Sequence, residues 1–139
     1  MALLATFTLA APLRGDDAML PNPKLTPGKA ARNDKDRKGV PVELEKKVFD
    51  RYRIPWARRR EFKIDHLIPL DLGGADRIEN LWPQSLRVKP YNAERKELLA
   101  RHLRTCVASG QMTLEQAQDE IRADWISCFV ERLGMIYLR

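Results

Sequence analysis

Histidine and cysteine are scarce in this chain, two of each among 139 residues. Neither the number nor the spacing of Cys106 and Cys128 offers the paired Cys-x-x-Cys of a structural zinc site. Both fall towards the C-terminal ends of successive predicted helices. If those helices pair antiparallel, the sulfurs stand roughly 20 Å apart, too far for a disulfide, and both read as buried thiols. No apolar run approaches the ~20 residues of a bilayer span, so a soluble mature chain is expected. The absence of any internal repeat argues against a repeat array. The apolar start MALLATFTLAA lacks the basic leading region of a typical secretory signal. It is either a signal peptide, with cleavage around Ala10 and Ala11 and an exported or periplasmic product, or a disordered start of a cytoplasmic one.

What is abundant is positive charge. Lys and Arg outnumber Asp and Glu by 25 to 19, for a formal net charge of +6. This balance favours polyanionic partners such as nucleic acid or acidic lipid. At this length one compact domain with a modest core is expected. Residues 1–40 read as an N-terminal tail: after the apolar start come several prolines and the charged run KAARNDKDRK, the composition of a linker. Residues 41–139 read as the folded domain.

From Pro41 the pattern changes. Leu44, Val48 and Tyr52 repeat at helical spacing, and that helix should end before Pro55. Phe62 and Ile64 alternate with Glu61 and Lys63 as in a half-buried strand that delivers Asp65 and His66 at its end. Leu67 to Glu79 reads as an ordered loop packed on its own side chains, in which Gly73 and Gly74 supply positive-φ turns. The run NLWPQ, residues 80–84, returns as a second strand that stops at Pro83. A helix should run from near Tyr91 to about Val107. After Gly110 a capping box, Thr113 to Gln116, opens another, and the two form a hairpin.

Strand, loop, strand and helix, with Asp-His at the first strand's end and Asn across the loop, is the order that a one-metal phosphodiesterase site needs. His66 suits proton abstraction from water, since free imidazole titrates at about 6.5. Asp65 suits a divalent cation that polarises the phosphate. Strand neighbours point to opposite faces, so the chain must turn there if both are to serve one site. A second oxygen ligand is sought at the start of the following helix, where Asn92 offers an amide oxygen. Oxygen donors with open positions describe Mg²⁺ or Mn²⁺ better than zinc. Asn80 would orient the loop or the imidazole.

The runs DHLIPLDLGG, NLWPQ and YNAERKELL resemble the HNH endonucleases, and most closely the small bacterial HNH-like proteins with an Asp-His-Leu-Ile-Pro-Leu core. The likeness covers about residues 42 to 125. It implies an α+β fold with a ββα-metal core, an N-terminal helix before it and a helical hairpin after it. It also implies divalent-metal-dependent hydrolysis of DNA, or of RNA, with His66 as general base, Asp65 and Asn92 as metal ligands and Asn80 as the structural Asn. The chain departs from the family at the last motif position, often His. The only other histidine, His102, lies about three turns into the helix, and Asn92 stands ahead of Lys96 for the third ligand.

Arg51, Arg53, Arg58, Arg59, Arg60 and Lys63 place six cations in thirteen residues before the site, and Arg87, Lys89, Arg95 and Lys96 follow it. Such residues grip phosphates without reading sequence, and no base-reading module is visible. Plainer roles stand beside these. Asn92 is nearly as good an N-cap as a ligand, Lys96 faces solvent or phosphate unless it acts in the transition state, and Trp82 and Trp125 belong to the core. The alternatives to a nuclease are a nucleic-acid-binding module on the same fold without catalysis, and an exported structural platform for another protein.

Overall fold

A computed structural model describes residues 20–137 of the chain. Among these residues the fold is mixed α+β: a two-stranded antiparallel sheet and three α-helices, the last broken once, giving four α-helical segments. The apolar start lies outside the described residues. Among those residues no helix is long and apolar enough to cross a membrane.

Helix α1 (Val42–Arg51) begins behind Pro41, carries Glu43 and Glu45 in its first turn and Arg51 in its last, and buries Val48 and Phe49. This charge order complements the helix dipole at both ends and stabilises the helix. After a 3-10 turn at Trp56–Glu61 the chain enters β1 (Phe62–His66). Phe49 meets Trp56 and Phe62 edge-on, at 5.4 and 5.9 Å between ring centroids, in a small core on this side of the sheet. Strand β2 (Leu81–Ser85) pairs with β1 so that Asp65 faces Trp82 and His66 faces Leu81.

The second strand does not stop at Pro83, which lies inside it opposite Ile64. A two-stranded sheet has only edge strands, and there a residue without an N–H is tolerated when that side needs no donor.

Helix α2 (Ala93–Ala108) and helix α3 (Leu114–Tyr137) follow. Their turn contains Gly110 at φ 76°, and the capping box forms as read from the sequence: Gln116 N–H donates to Thr113 Oγ1 at 3.1 Å and Thr113 N–H to Gln116 Oε1 at 2.8 Å. Leu99 and Leu103 of α2 pack with Ala117, Ile121, Trp125 and Phe129 of α3, over Leu67, Ile68 and Leu72 from the loop and Trp82 from β2. Helix α3 is broken at Asp124 (φ −161°, ψ 94°), a feature its apolar stripe did not announce. The Asp124 carboxylate accepts from Ile126 and Ser127 N–H, capping a new start. Cys106 and Cys128 are free and buried. Burial, reinforced by Glu120, pushes the Cys128 thiol up to about 11.

The linker reading fails for residues 20–40, which pack along the loop between the strands. Gly28 N–H donates to Glu79 O, Ala31 N–H to Gly73 O, and Ala75 N–H to Lys29 O, while Ala30 bridges Gly74. Thr26 is buried, donates to Leu81 O at 2.9 Å and shares a 2.7 Å hydrogen bond with the Tyr52 hydroxyl. Composition misled here because much of the arm's attachment is through its backbone, whose donors and acceptors do not depend on side-chain type.

Candidate active site

Between β1, the loop and α2 lies a cleft of about 240 Å³, lined among others by Lys63, Asp65, His66, Asp71, Lys96 and Glu97. Asp65 and His66 both reach it, although they are neighbours on β1. They do so by different atoms and partners.

The His66 imidazole turns to the loop. Its Nε2 lies 2.7 Å from Oδ1 of Asp76, whose side chain is only 5% exposed. A carboxylate accepts and cannot donate, so Nε2 carries the shared hydrogen and the lone pair of a neutral ring stands on Nδ1. Asp76 is itself held on the far side: Oδ2 accepts from Gly39 N–H at 2.7 Å, and its own N–H donates to Asp36 O at 2.7 Å. The aspartate that orients the histidine is thus anchored by the N-terminal arm. Asp36 also accepts from Arg32 N–H and pairs with Arg77 at 2.7 Å. These two contacts, the Arg32 amide first, hold its carboxyl below the ordinary 3.8.

Asp65 points to the helix. Its Oδ2 lies 2.7 Å from Nζ of Lys96 and 3.3 Å from the indole N–H of Trp82. The same ammonium donates to the His66 carbonyl at 2.7 Å, and the Lys96 side chain is 3% exposed. Lys96 is therefore neither solvated nor free. It is buried in the wall of the cleft, tying α2 to the end of β1.

Asn80 is fully buried and holds the loop, in keeping with an orienting rather than reactive place. Its Oδ1 accepts from Ile68 and Lys29 N–H, and its Nδ2 donates to Ile68 O and Ala75 O. Gly73 takes positive φ (78°), whereas Gly74 has a different reason to be glycine: a Cβ there would lie 1.7 Å from Ile68 O. Asn92 is not among the residues that line the cleft. Its side-chain oxygen accepts from Arg95 N–H as the cap of α2, the local role that competes with ligation wherever Asn precedes a helix.

A divalent cation does not fit the donors as arranged. The Asp65 carboxylate is already met by an ammonium and an indole N–H, and the Asn92 oxygen is committed to the helix. Among the described residues no group of three His, Cys, Asp or Glu side chains is placed to share an ion. Asp71 and Glu97 sit at the cleft, but Asp71 pairs with Arg104 at 2.9 Å.

The basic residues distribute unevenly. Lys63 lines the cleft, and Arg53, Arg59, Arg60 and Lys89 are exposed, Arg59 lying over Trp56 at 5.2 Å. Arg51 ends α1, half-buried. Arg58 and Arg87 converge on Glu61 at 2.6 and 3.2 Å, so part of their charge is answered inside the chain. Arg95 is stacked on Phe129 and Tyr137. The residue that sequence reasoning missed is Asp76. Its only signal was an acid just after the glycine pair, and spacing does not connect it to His66. No known family, characterised protein or solved structure matches the chain when compared with it.

Proposed function

We propose that the chain is an HNH-like endonuclease on a ββα core that hydrolyses phosphodiester bonds of DNA with little sequence preference. The observation that carries the reading is the His66–Asp76 pair: an imidazole lining an open cleft, its tautomer set by a buried carboxylate. Nδ1 of His66 takes a proton from water, the water oxygen bonds to phosphorus, and the P–O bond to the leaving alkoxide breaks. The proton then passes from the imidazolium to that alkoxide. Lys63 at the cleft and the exposed cations Arg53, Arg59 and Arg60 supply contacts for a phosphate backbone, and the net charge of +6 supports a polyanionic substrate.

Nicking of supercoiled plasmid tests this. His66→Ala should lower the rate by about 10²-fold or more, and Asp76→Asn by at least about tenfold, because the amide oxygen stays with Gly39 N–H and its NH₂ turns to the ring, which no longer fixes the tautomer. Binding of a DNA duplex should weaken steeply as salt rises. Undiminished nicking by folded His66→Ala would refute the base assignment. One observation favours a second reading, a nucleic-acid-binding module without catalysis: Asp65 is already neutralised by Lys96. Salt-sensitive binding without nicking in any buffer, with or without metal, selects it.

A further inference from the structure

We infer that the Lys96 ammonium is the resident cation of this site, standing where a divalent metal would otherwise be held, and that Asp65 serves to grip the lysine. The inference rests on the phosphodiesterase reading for its catalytic consequence, but its structural half stands separately. Three observations carry it. Nζ sits 2.7 Å from both Asp65 Oδ2 and His66 O, contacts that fix its position to the end of the strand bearing the base. Its side chain is 3% exposed yet lines the cleft, so the charge is shielded from bulk water where it faces the substrate. An ammonium has three N–H donors and two are engaged here, which leaves one for a phosphoryl oxygen.

The other charges facing the cleft are Lys63, Asp71 and Glu97, with Asp71 answered by Arg104. Asp65 therefore cancels part of the lysine charge in the ground state, and the remaining N–H strengthens as negative charge grows on the phosphoryl oxygens. No electron transfer or covalent enzyme intermediate is involved. The bonds made and broken are those of water attack, and Lys96 keeps its proton throughout.

Two measurements on the full chain test this, and they fail independently. The first is Mn²⁺ titration followed by electron paramagnetic resonance, which needs no activity. Wild type should show no Mn²⁺ binding that Asp65→Asn removes; an Asp65-dependent Mn²⁺ site in wild type would overturn the inference. The second is nicking, where wild type in EDTA should retain its rate within about twofold. Lys96→Met keeps the aliphatic stem and should lower kcat by about 10²- to 10³-fold with KM nearly unchanged. Nicking lost in EDTA and restored by Mn²⁺ or Mg²⁺ would also overturn the inference. Should Lys96→Met fail to fold, the wild-type titration and EDTA measurements still decide. Absence of nicking under every condition would overturn the proposed function, and the Mn²⁺ titration alone would then decide what Asp65 holds.

Discussion

Single residues at this site are constrained by what touches them more than by their chemical type. The glycine pair illustrates it. Gly74 has no room for a methyl group, since a Cβ would press on the Ile68 carbonyl at 1.7 Å, and its N–H donates to Pro69 O. Gly39, by contrast, adopts positive φ, 86°, and faces open space. Gly74→Ala should therefore cost at least about 3 kcal/mol, through a backbone shift in the loop that carries Asp76. Gly39→Ala should cost about 1 kcal/mol, from φ alone. Urea denaturation of the two variants checks the contrast, and equal losses would show that the loop yields where the geometry says it cannot. Asn80 belongs to the same argument. One amide satisfies two donors and two acceptors of the backbone around it, which is the work of a brace.

Elements are set largely by their ends. Helix α3 has two starts: the Thr113–Gln116 box and the Asp124 carboxylate at the break. Both were made of capping residues visible in the sequence, yet only the first was legible, because Asp124 sits within an apolar stripe that continues through Trp125 and Cys128. Burial of that stripe overrides the interruption of hydrogen bonding, and the aspartate supplies the lost acceptors. Thr113→Ala and Asp124→Ala should each lower stability by about 1 kcal/mol. The two positions are about 16 Å apart along the helix, so the losses should add in the double variant. Denaturation midpoints of the three variants give the answer, and no loss in Asp124→Ala would mean that packing alone holds the break.

Across the whole molecule, the N-terminal arm is joined to the loop between the strands by charge as well as backbone. The Asp36 carboxylate, bound by the Arg32 amide and the Arg77 guanidinium, has its folded-state pKa depressed below the ordinary 3.8 of an unfolded aspartate. A group depressed in this sense stabilises the fold fully above the unfolded value, and the contribution is lost as pH falls through the folded one. Asp36→Asn should thus be less stable than wild type near neutrality. The gap should narrow as pH falls past the ordinary 3.8 and close once pH is below the depressed folded value. Denaturant midpoints of both proteins across pH measure it, and a gap independent of pH would show that the charge contributes nothing. Because Asp36 O receives the Asp76 N–H and Gly39 N–H binds the Asp76 carboxylate, loosening the arm also loosens the partner of His66.

The sequence by itself determined the mixed α+β class, the placing of the helices, one capping box, the buried thiols and the candidacy of Asp65 and His66. These follow from apolar periodicity and caps, forces that act within a turn or two of the chain. Only the tertiary structure decided what those side chains meet. His66 pairs with an aspartate ten residues on, Asp65 with a lysine on α2 rather than with the oxygen of Asn92, and Asp76 with an arm that composition marked as linker. A buried carboxylate takes whichever donor the fold brings within reach, and that choice depends on how helix, loop and arm pack together.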